Sequence, residues 1–247
     1  ELMNREAQRM GLTNTRFANP HGLPHPNNYS TARDLSVLAT RLINDFPELY
    51  KIYSTKSFTY NKITQPNRNR LLWLDPTVDG MKTGHTQAAG YCLIATAKRP
   101  NGSSGERRLV SVVLGTESDA MRAQESQKLL NWGFMNFDTY KVYAKGQAIL
   151  TPSVWKGSQG DVKLGFTRDI YITLPRGSTA KLKPVIERTD PLVAPIAQYQ
   201  RVGTLKLMAD DKIINQVPLL ALEPVNQATI IGRAFDRSEE RRVGKEC

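Results

Sequence analysis

Lys82, Thr83, Gly84, His85 and Thr86 form the run of this chain that is best suited to chemistry. A lysine supplies a compact positive charge for a carboxylate, and threonine hydroxyls hydrogen-bond to carboxylates and carbonyls. Glycine has no Cβ, so another chain can approach its backbone closely and pair with the strand edge. The run therefore predicts a strand that binds a ligand ending in a carboxylate. A glycine-containing hairpin on a basic surface is the alternative interpretation.

The sequence around this run favours the first interpretation. Four motifs occur in order, F-A-N-P-H-G-L at 17–23, T-A-R-D-L at 31–35, T-Q-P-N-R-N-R-L-L-W at 64–73 and V-D-G-M-K-T-G-H-T at 78–86. This series resembles the low-molecular-weight penicillin-binding proteins that are serine-type D-alanyl-D-alanine carboxypeptidases. The resemblance extends from about Leu2 to about Asp236. It is looser in the second half, where it includes Q-R-V-G at 200–203.

The fold that this resemblance implies is α+β. Residues 1–138 would form part of a penicillin-binding/β-lactamase-like catalytic domain, a sheet with packed helices, and 139–223 a small β-sandwich-like domain. Apolar, β-rich runs at 91–98 and 108–115 independently predict a hairpin with a polar tip. After Asp138, short alternating runs punctuated by Pro, Gly and Asp predict a β-rich domain. Residues 224–236 are expected to begin an amphipathic helix, which in this family lies on the inner membrane.

Two longer helices are predicted in the first domain from caps and periodicity. Ser30 or Thr31 can cap a helix that ends near Asn44. Ser118-Asp119 can start a second one that ends near Gly133 or a little beyond. The residues expected to point inward from this second helix are Ala123, Leu129, Leu130 and Trp132.

The resemblance also implies an activity and a set of site residues. Such enzymes remove the terminal D-alanine from peptidoglycan stem pentapeptides through an acyl-serine intermediate, which β-lactam antibiotics also form. They act in cell-wall biogenesis at the periplasmic face of the bacterial inner membrane, without metal or cofactor. The backbone N–H of His85 would belong to the oxyanion hole. The residues expected to bind the substrate are Lys82, Thr83, Gly84, Thr86, Arg68 and Arg122.

The nucleophile of that chemistry is missing from the sequence. S-x-x-K occurs at 153–156 and 178–181, both after K-T-G, whereas the family places it before, and S-G-N and S-D-N occur nowhere. We interpret both matches as chance and expect a truncated chain that is inactive as given. Residues 1–10 begin inside a helical pattern without a signal peptide. Residues 237–247 match the translation of a sequencing-adapter oligonucleotide and are interpreted as an artefact.

Composition narrows the classes of partner. The chain has 34 Lys and Arg against 23 Asp and Glu, a net charge of +11, which favours an anionic partner. No helix-turn-helix, zinc-finger or RNP pattern occurs, so we expect no nucleic acid. His21 and His25 are separated by Gly and Pro residues that prevent a helical metal pair, and Cys92 fits a buried structural thiol.

Two further functional classes remain open from the sequence. One is a non-catalytic envelope scaffold or peptidoglycan-binding module, for which the lack of a nucleophile would be genuine. The other is an endopeptidase or a β-lactamase on the same catalytic fold, although the β-rich second half argues against a β-lactamase. The upstream reading frame discriminates between scaffold and enzyme, because S-x-x-K and S-G-N there would mean an enzyme.

Overall fold

The chain folds into two compact units that divide after Phe137. The structure is a computed structural model that describes residues 1–101, 105–178, 182–209 and 211–229. We call 1–137 the first unit and 138–247 the second unit. The boundary predicted from the sequence lies one residue further on, at Asp138.

A three-stranded antiparallel sheet organises the first unit, in the strand order β3 (Val78–Thr86), β4 (Gly90–Pro100) and β5 (Glu106–Thr116). Strands β4 and β5 form the hairpin predicted from the two apolar runs, which is therefore confirmed. The K-T-G run occupies the C-terminal half of β3, an edge strand of this sheet. The elements of the unit are α1 (Leu2–Arg9), α2 (Ala32–Asp45), α3 (Pro47–Tyr50), a 3₁₀ helix (Lys51–Ser54), β1 (Ser57–Tyr60), β2 (Ile63–Pro66), α4 (Leu71–Leu74), β3 (Val78–Thr86), β4 (Gly90–Pro100), β5 (Glu106–Thr116) and α5 (Asp119–Asn136).

Helices cover both faces of this sheet. On one face, Leu93 and Ala95 of β4 pack with Leu130 of α5 in one buried cluster. On the other face, Ile94 packs against a smaller cluster that includes Tyr50 at the end of α3. Alternation of side chains along β4 divides them between the two clusters. Burial on both faces explains why the hairpin strands read as continuous apolar runs.

Helix α5 begins where the sequence predicts, but the stripe that it buries is different. The Ser118 hydroxyl accepts a hydrogen bond from the Met121 N–H at 3.2 Å and caps the helix. Leu129 and Trp132, expected to point inward, are 43% and 55% exposed, so that part of the prediction is wrong. The buried residues recur at spacings of three and four and leave those two on the outer side of the helix. They are Ala123, Ser126, Leu130 and Phe134, with Arg122 buried beside Ala123.

The second unit is built from short strands around one apolar core. A four-stranded sheet has the order β10-β12-β13-β8, while β6 pairs with β9 and β7 with β11. In the described part of this unit, sixteen buried apolar residues, Phe166, Leu205 and Leu219 among them, form a single cluster. The strands are β6 (Phe137–Tyr143), β7 (Val154–Trp155), β8 (Leu164–Gly165), β9 (Ile170–Pro175), β10 (Leu182–Arg188), β11 (Leu192–Val193), β12 (Arg201–Ala209) and β13 (Lys212–Ala221).

The segment expected to start an amphipathic helix, 224–236, is extended as far as it is described. Val225 is fully buried in the core of the second unit and exchanges backbone hydrogen bonds with Ile196 at 2.8 and 2.9 Å. Residues up to Thr229 therefore continue the β-rich unit, while 230–236 and the adapter-like 237–247 lie outside the described residues. Across the described ranges, no helix combines the length and apolar character needed to cross a bilayer.

Candidate functional site

A cleft of about 440 Å³ lies beside the C-terminal half of β3. Five of the seven site residues predicted from the sequence line it, which are Arg68, Thr83, Gly84, His85 and Arg122. The other residues of its wall are Pro66, Asn67, Arg70, Tyr91 and Asp119. The fold thus brings together a loop after β2, the edge strand β3, the start of β4 and the first turn of α5.

The strand in this cleft has one open edge. β3 pairs with β4 on one side, Gly84 facing Cys92 and His85 facing Tyr91, and has no strand on its other side among the residues described. A Cβ added at Gly84 would meet only Cys92 Cβ, at 3.9 Å. An extended peptide could therefore pair with the backbone of β3 at this point.

Lys82 and Arg68 carry positive charge at this edge. Lys82 Nζ donates a hydrogen bond to the Thr83 carbonyl, and the lysine does not line the cleft itself. Partial removal from water lowers the pKa of Lys82, and the nearby charges of Arg68 and Arg122 lower it further. A bound carboxylate would relieve this repulsion, because an anion favours the charged form of a lysine.

Arg122 is buried, and its guanidinium bonds to other groups of the protein. Its guanidinium donates to the carbonyl oxygens of Gly84 at 3.2 Å and Arg68 at 3.5 Å, and it forms an ion pair with Asp119. It also lies 5.5 Å from the centroid of the Tyr91 ring. Its predicted contact with a substrate carboxylate stays a prediction, since these donors are directed at the backbone that shapes the cleft.

His85 and Thr86 are both engaged locally through their side chains. The exposed imidazole of His85 packs on Tyr91 with ring centroids 3.9 Å apart. The Thr86 hydroxyl accepts a hydrogen bond from the Ala89 N–H at 3.0 Å and so stabilises the turn between β3 and β4. The oxyanion role of the His85 N–H and the ligand contact of Thr86 stay predictions.

Sequence reasoning missed Asn69, which connects the Arg68 loop to β3. Asn69 is completely buried, and its Nδ2 donates to the Gly80 carbonyl at 3.0 Å. Its Oδ1 accepts from the Leu71 N–H at 3.2 Å. An asparagine ahead of the apolar run L-L-W-L indicates the start of a helix. That signal could have identified the bond from the Leu71 N–H, but not the bond to the Gly80 carbonyl.

Asp79 was also missed, and it organises the N-terminal half of β3. Its carboxylate accepts two hydrogen bonds from Arg108, at 2.7 and 2.6 Å, one from Thr96 at 2.8 Å and one from Tyr50 at 3.2 Å. Burial raises the pKa of Asp79, but the bonds from Arg108 and Thr96 outweigh it and leave that pKa below its ordinary value. Burial raises the pKa of Tyr50 to about 12.

The other residues weighed in the sequence lie in turns and strands outside the cleft. Ser153 forms a bridge with Asp161 in the second unit, and the Ser178 N–H donates to the Pro175 carbonyl in the turn after β9. Lys181, the partner of Ser178 in S-x-x-K, lies outside the described residues. The Nδ1 atoms of the loop histidines accept backbone N–H bonds at 3.1 Å, from Leu23 to His21 and from Asn27 to His25.

Family models match both units of the chain. Residues 1–118 match the family described as D-alanyl-D-alanine carboxypeptidase. Residues 137–227 match the family described as penicillin-binding protein 5, C-terminal domain. The second match includes Val225, in keeping with its burial in the core of the second unit.

Individual relatives extend the similarity over nearly the whole chain. D-alanyl-D-alanine carboxypeptidase DacA of Haemophilus influenzae is 46% identical over 96% of this chain, and DacC of Escherichia coli is 46% identical over 95%. The chain spans 60% and 58% of the length of these two relatives. The solved structure of penicillin binding protein 5 from Haemophilus influenzae superposes with a TM-score of 0.81 at 45% identity, covering 92% of this chain and 65% of that one.

Proposed function

The chain belongs to the D-alanyl-D-alanine carboxypeptidase family of low-molecular-weight penicillin-binding proteins, and we propose that its first unit binds the terminal carboxylate of D-alanyl-D-alanine peptides. One observation carries this proposal: Arg68 lines the cleft beside the open edge of β3, and Lys82 of that strand is near enough to Arg68 for the two positive charges to repel. The depressed pKa of Lys82 supports it, because Lys82 is partly removed from water beside Arg68 and Arg122, and a ligand carboxylate would favour its charged form.

The peptide would lie along β3 in this proposal. Its backbone pairs with the free edge of the strand, and its terminal carboxylate meets Lys82, Arg68 and the Thr83 hydroxyl. The His85 N–H then points at the carbonyl between the two D-alanines and stabilises the oxyanion that forms there. Gly84 leaves space for this approach, since a Cβ there has only one neighbour within 4 Å.

The activity proposed for the whole protein is removal of the terminal D-alanine from peptidoglycan stem pentapeptides. A serine attacks the carbonyl, D-alanine leaves, and water hydrolyses the acyl-enzyme. A β-lactam would acylate the same serine and would place its carboxylate at Lys82. The 247 residues contain no S-x-x-K before K-T-G, so the chain as given should hydrolyse no peptide. We place the protein at the periplasmic face of the inner membrane as part of this proposal.

Carboxylate recognition can be tested on the 247-residue chain. N-acetyl-D-Ala-D-Ala and its C-terminal amide are titrated into isotopically labelled protein, and shifts of the Thr83–Thr86 amides are followed by NMR. Lys82→Ala should weaken binding of the acid by about tenfold, the effect of losing one charge-assisted bond. Lys98→Ala is the matched control, because Lys98 lies on β4 of the same sheet and, among the residues described, its ammonium pairs only with Glu106, at 4.0 Å.

Two results would contradict the carboxylate proposal. One is equal affinity for the acid and the amide. The other is equal affinity of the Lys82→Ala and Lys98→Ala chains for the acid. A peptide that bound but shifted only residues far from β3 would likewise exclude this cleft.

Covalent labelling separates the enzyme from a non-catalytic scaffold. A fluorescent penicillin should label no band of the 247-residue chain on a denaturing gel. A longer protein with S-x-x-K and S-G-N ahead of residue 1 should be labelled, and Lys82→Ala should abolish that label. Labelling of the 247-residue chain would mean that Ser153 or Ser178 is a nucleophile. Peptide binding without labelling of the longer protein would favour the scaffold.

A further inference from the structure

Arg68 depends on its surroundings for its position. It lies in the short segment between β2 and α4, outside any strand or helix. Its side chain is exposed, and within the described ranges its guanidinium forms no hydrogen bond or ion pair. An arginine in such a segment can meet a ligand in a defined geometry only when the backbone beneath it is fixed.

One attachment of this backbone is made by Asn69. The side chain is 0% exposed, and its Nδ2 donates to the carbonyl of Gly80, two residues before Lys82. The Asn69 N–H donates to Oδ1 of Asn67 at 2.9 Å, so the segment is also bonded within itself. A buried amide that lost its acceptor would pay a desolvation penalty, which keeps this bond formed.

The second attachment is made by Arg122 from α5. Its guanidinium bridges the carbonyl oxygens of Gly84 and Arg68, while Asp119 balances its charge. The side chain is 4% exposed. Gly80 and Gly84 flank Lys82 and Thr83, so the Arg68 segment is attached to β3 at two points on either side of the residues proposed to bind the ligand.

We propose that Asn69 and Arg122 are positioning residues that hold Arg68 against the K-T-G strand so that both meet one carboxylate. This inference rests on the proposed function and adds to it. Arg122 acts through the backbone of Arg68 and Gly84 in this arrangement. Holding the cations in place before the ligand arrives reduces the ordering cost of binding.

Asn69→Ala gives the first test, with two separate readouts on the full chain. The substitution removes no charge, so a rise in the pKa of Lys82 would report that a neighbouring positive charge, Arg68 or Arg122, has moved. That pKa, measured by NMR on the Lys82 side chain, should rise towards its ordinary value as the positive charge of Arg68 moves away. Affinity for N-acetyl-D-Ala-D-Ala should fall by about tenfold, as for loss of one charge-assisted hydrogen bond.

Arg122→Lys gives the second test, and the chain offers a matched control for it. Arg107 is also a buried arginine, 8% exposed, that donates to backbone carbonyls, those of Phe134 and Phe137, outside the cleft. Lysine keeps the charge at either position but cannot bridge two carbonyls in the same geometry. Both variants should lower Tm, whereas only Arg122→Lys should weaken peptide binding by about tenfold.

The outcomes separate this inference from the proposed function. If the wild-type chain binds no D-Ala-D-Ala peptide, the proposed function fails, and the pKa of Lys82 still tests the attachment of Arg68. If Asn69→Ala and Arg122→Lys change affinity and Lys82 pKa no more than Arg107→Lys does, the two residues are merely structural and the inference is wrong. If Asn69→Ala does not fold, Arg122→Lys against Arg107→Lys decides.

Discussion

The two units bury different kinds of side chain. Among the described residues, eight of the nine buried polar or charged side chains belong to the first unit, and Thr204 alone belongs to the second. The second unit instead buries sixteen apolar residues in one cluster. The apolar interior of the first unit is divided into clusters of nine and three residues on opposite faces of its sheet.

This difference indicates what each interior does. Two of these buried groups, Asn69 and Arg122, bond to β3, and the half-buried Asp79 carboxylate lies on it. Buried polar groups contribute little net stability, because their hydrogen bonds replace bonds to water. They do restrict geometry, since each demands a partner in one direction. We infer that the first unit fixes the positions of a strand and a loop, while the second unit gains its stability from apolar burial.

The largest effect is expected in the apolar core of the second unit. Leu219→Ala removes a fully buried side chain of β13, and the cavity should lower the free energy of unfolding by about 2–5 kcal/mol. Urea unfolding followed by Trp155 fluorescence measures this, with Trp73 and Trp132 of the first unit replaced by Phe. Ile213→Ala on the same strand is the control. Ile213 is half exposed, so its truncation should lower the free energy of unfolding by well under half as much. Equal losses would contradict a single apolar core.

The next effect belongs to the polar interior of the first unit. Asp79→Asn leaves Arg108 without its bidentate partner and should lower the free energy of unfolding by about 2–3 kcal/mol at pH 7. The folded pKa of Asp79 is depressed, so its contribution is complete above the unfolded pKa of about 3.9 and is lost as pH falls through the folded value. Wild-type stability should therefore decline below about pH 4 more steeply than that of Asp79→Asn.

Asp169 provides the comparison for this pH dependence in the second unit. A hydrogen bond from Lys141 and one from the Lys145 N–H lower the pKa of Asp169 to about 2, but its partner Lys141 is 42% exposed, whereas Arg108 beside Asp79 is 19% exposed. Any effect of Asp169→Asn should disappear in molar salt, which screens exposed pairs. The effect of Asp79→Asn should persist there. Loss of both effects in salt would mean that the Asp79 cluster is no better shielded than the surface.

Local signals in the sequence predicted the elements that depend on local contacts. The cap at Thr31 accepts the Asp34 N–H at 3.2 Å, as the start of α2 requires. The β4–β5 hairpin followed from two apolar, β-rich runs around a polar tip. Both features join residues that are close in sequence or pair in simple register, so composition and periodicity carry enough information.

The groups that fix the site were not predictable, because their partners are distant in sequence. Asn69 bonds to Gly80 across 11 positions, Arg122 to Gly84 across 38, and Asp79 to Arg108 across 29. A polar residue in a loop or strand gives no sign that it is buried until the fold supplies its acceptor. The same limit explains why only the start of α5 was predicted correctly. Its cap is a local signal, whereas the face that it buries depends on the strands that pack against it.

A smaller loss is expected at Gly80, where the polar interior leaves no space. An added Cβ would overlap the Tyr50 hydroxyl and lie 3.3 Å from Thr96 Oγ1. Both groups are held in the Asp79 cluster, so Gly80→Ala should lower the free energy of unfolding by about 1–2 kcal/mol. Urea unfolding in a Trp155→Phe background reports this through the two tryptophans of the first unit. Tyr50→Phe should recover part of the loss by removing the clashing oxygen, and no recovery would mean that the clash lies elsewhere.

The smallest effect on stability is expected four residues along the same strand, at Gly84. A Cβ there would meet Cys92 Cβ at 3.9 Å, an ordinary contact, so Gly84→Ala should change the free energy of unfolding by no more than about 0.5 kcal/mol. The new methyl group would nevertheless project from the face of β3, into space that a peptide pairing with its edge needs for its own side chains. Affinity for N-acetyl-D-Ala-D-Ala should therefore fall by about tenfold while Tm stays nearly constant. Gly80→Ala should show a larger loss of Tm. If Gly84→Ala lowered Tm as much as Gly80→Ala, or left affinity intact, the open edge of β3 would not be the surface that meets the ligand.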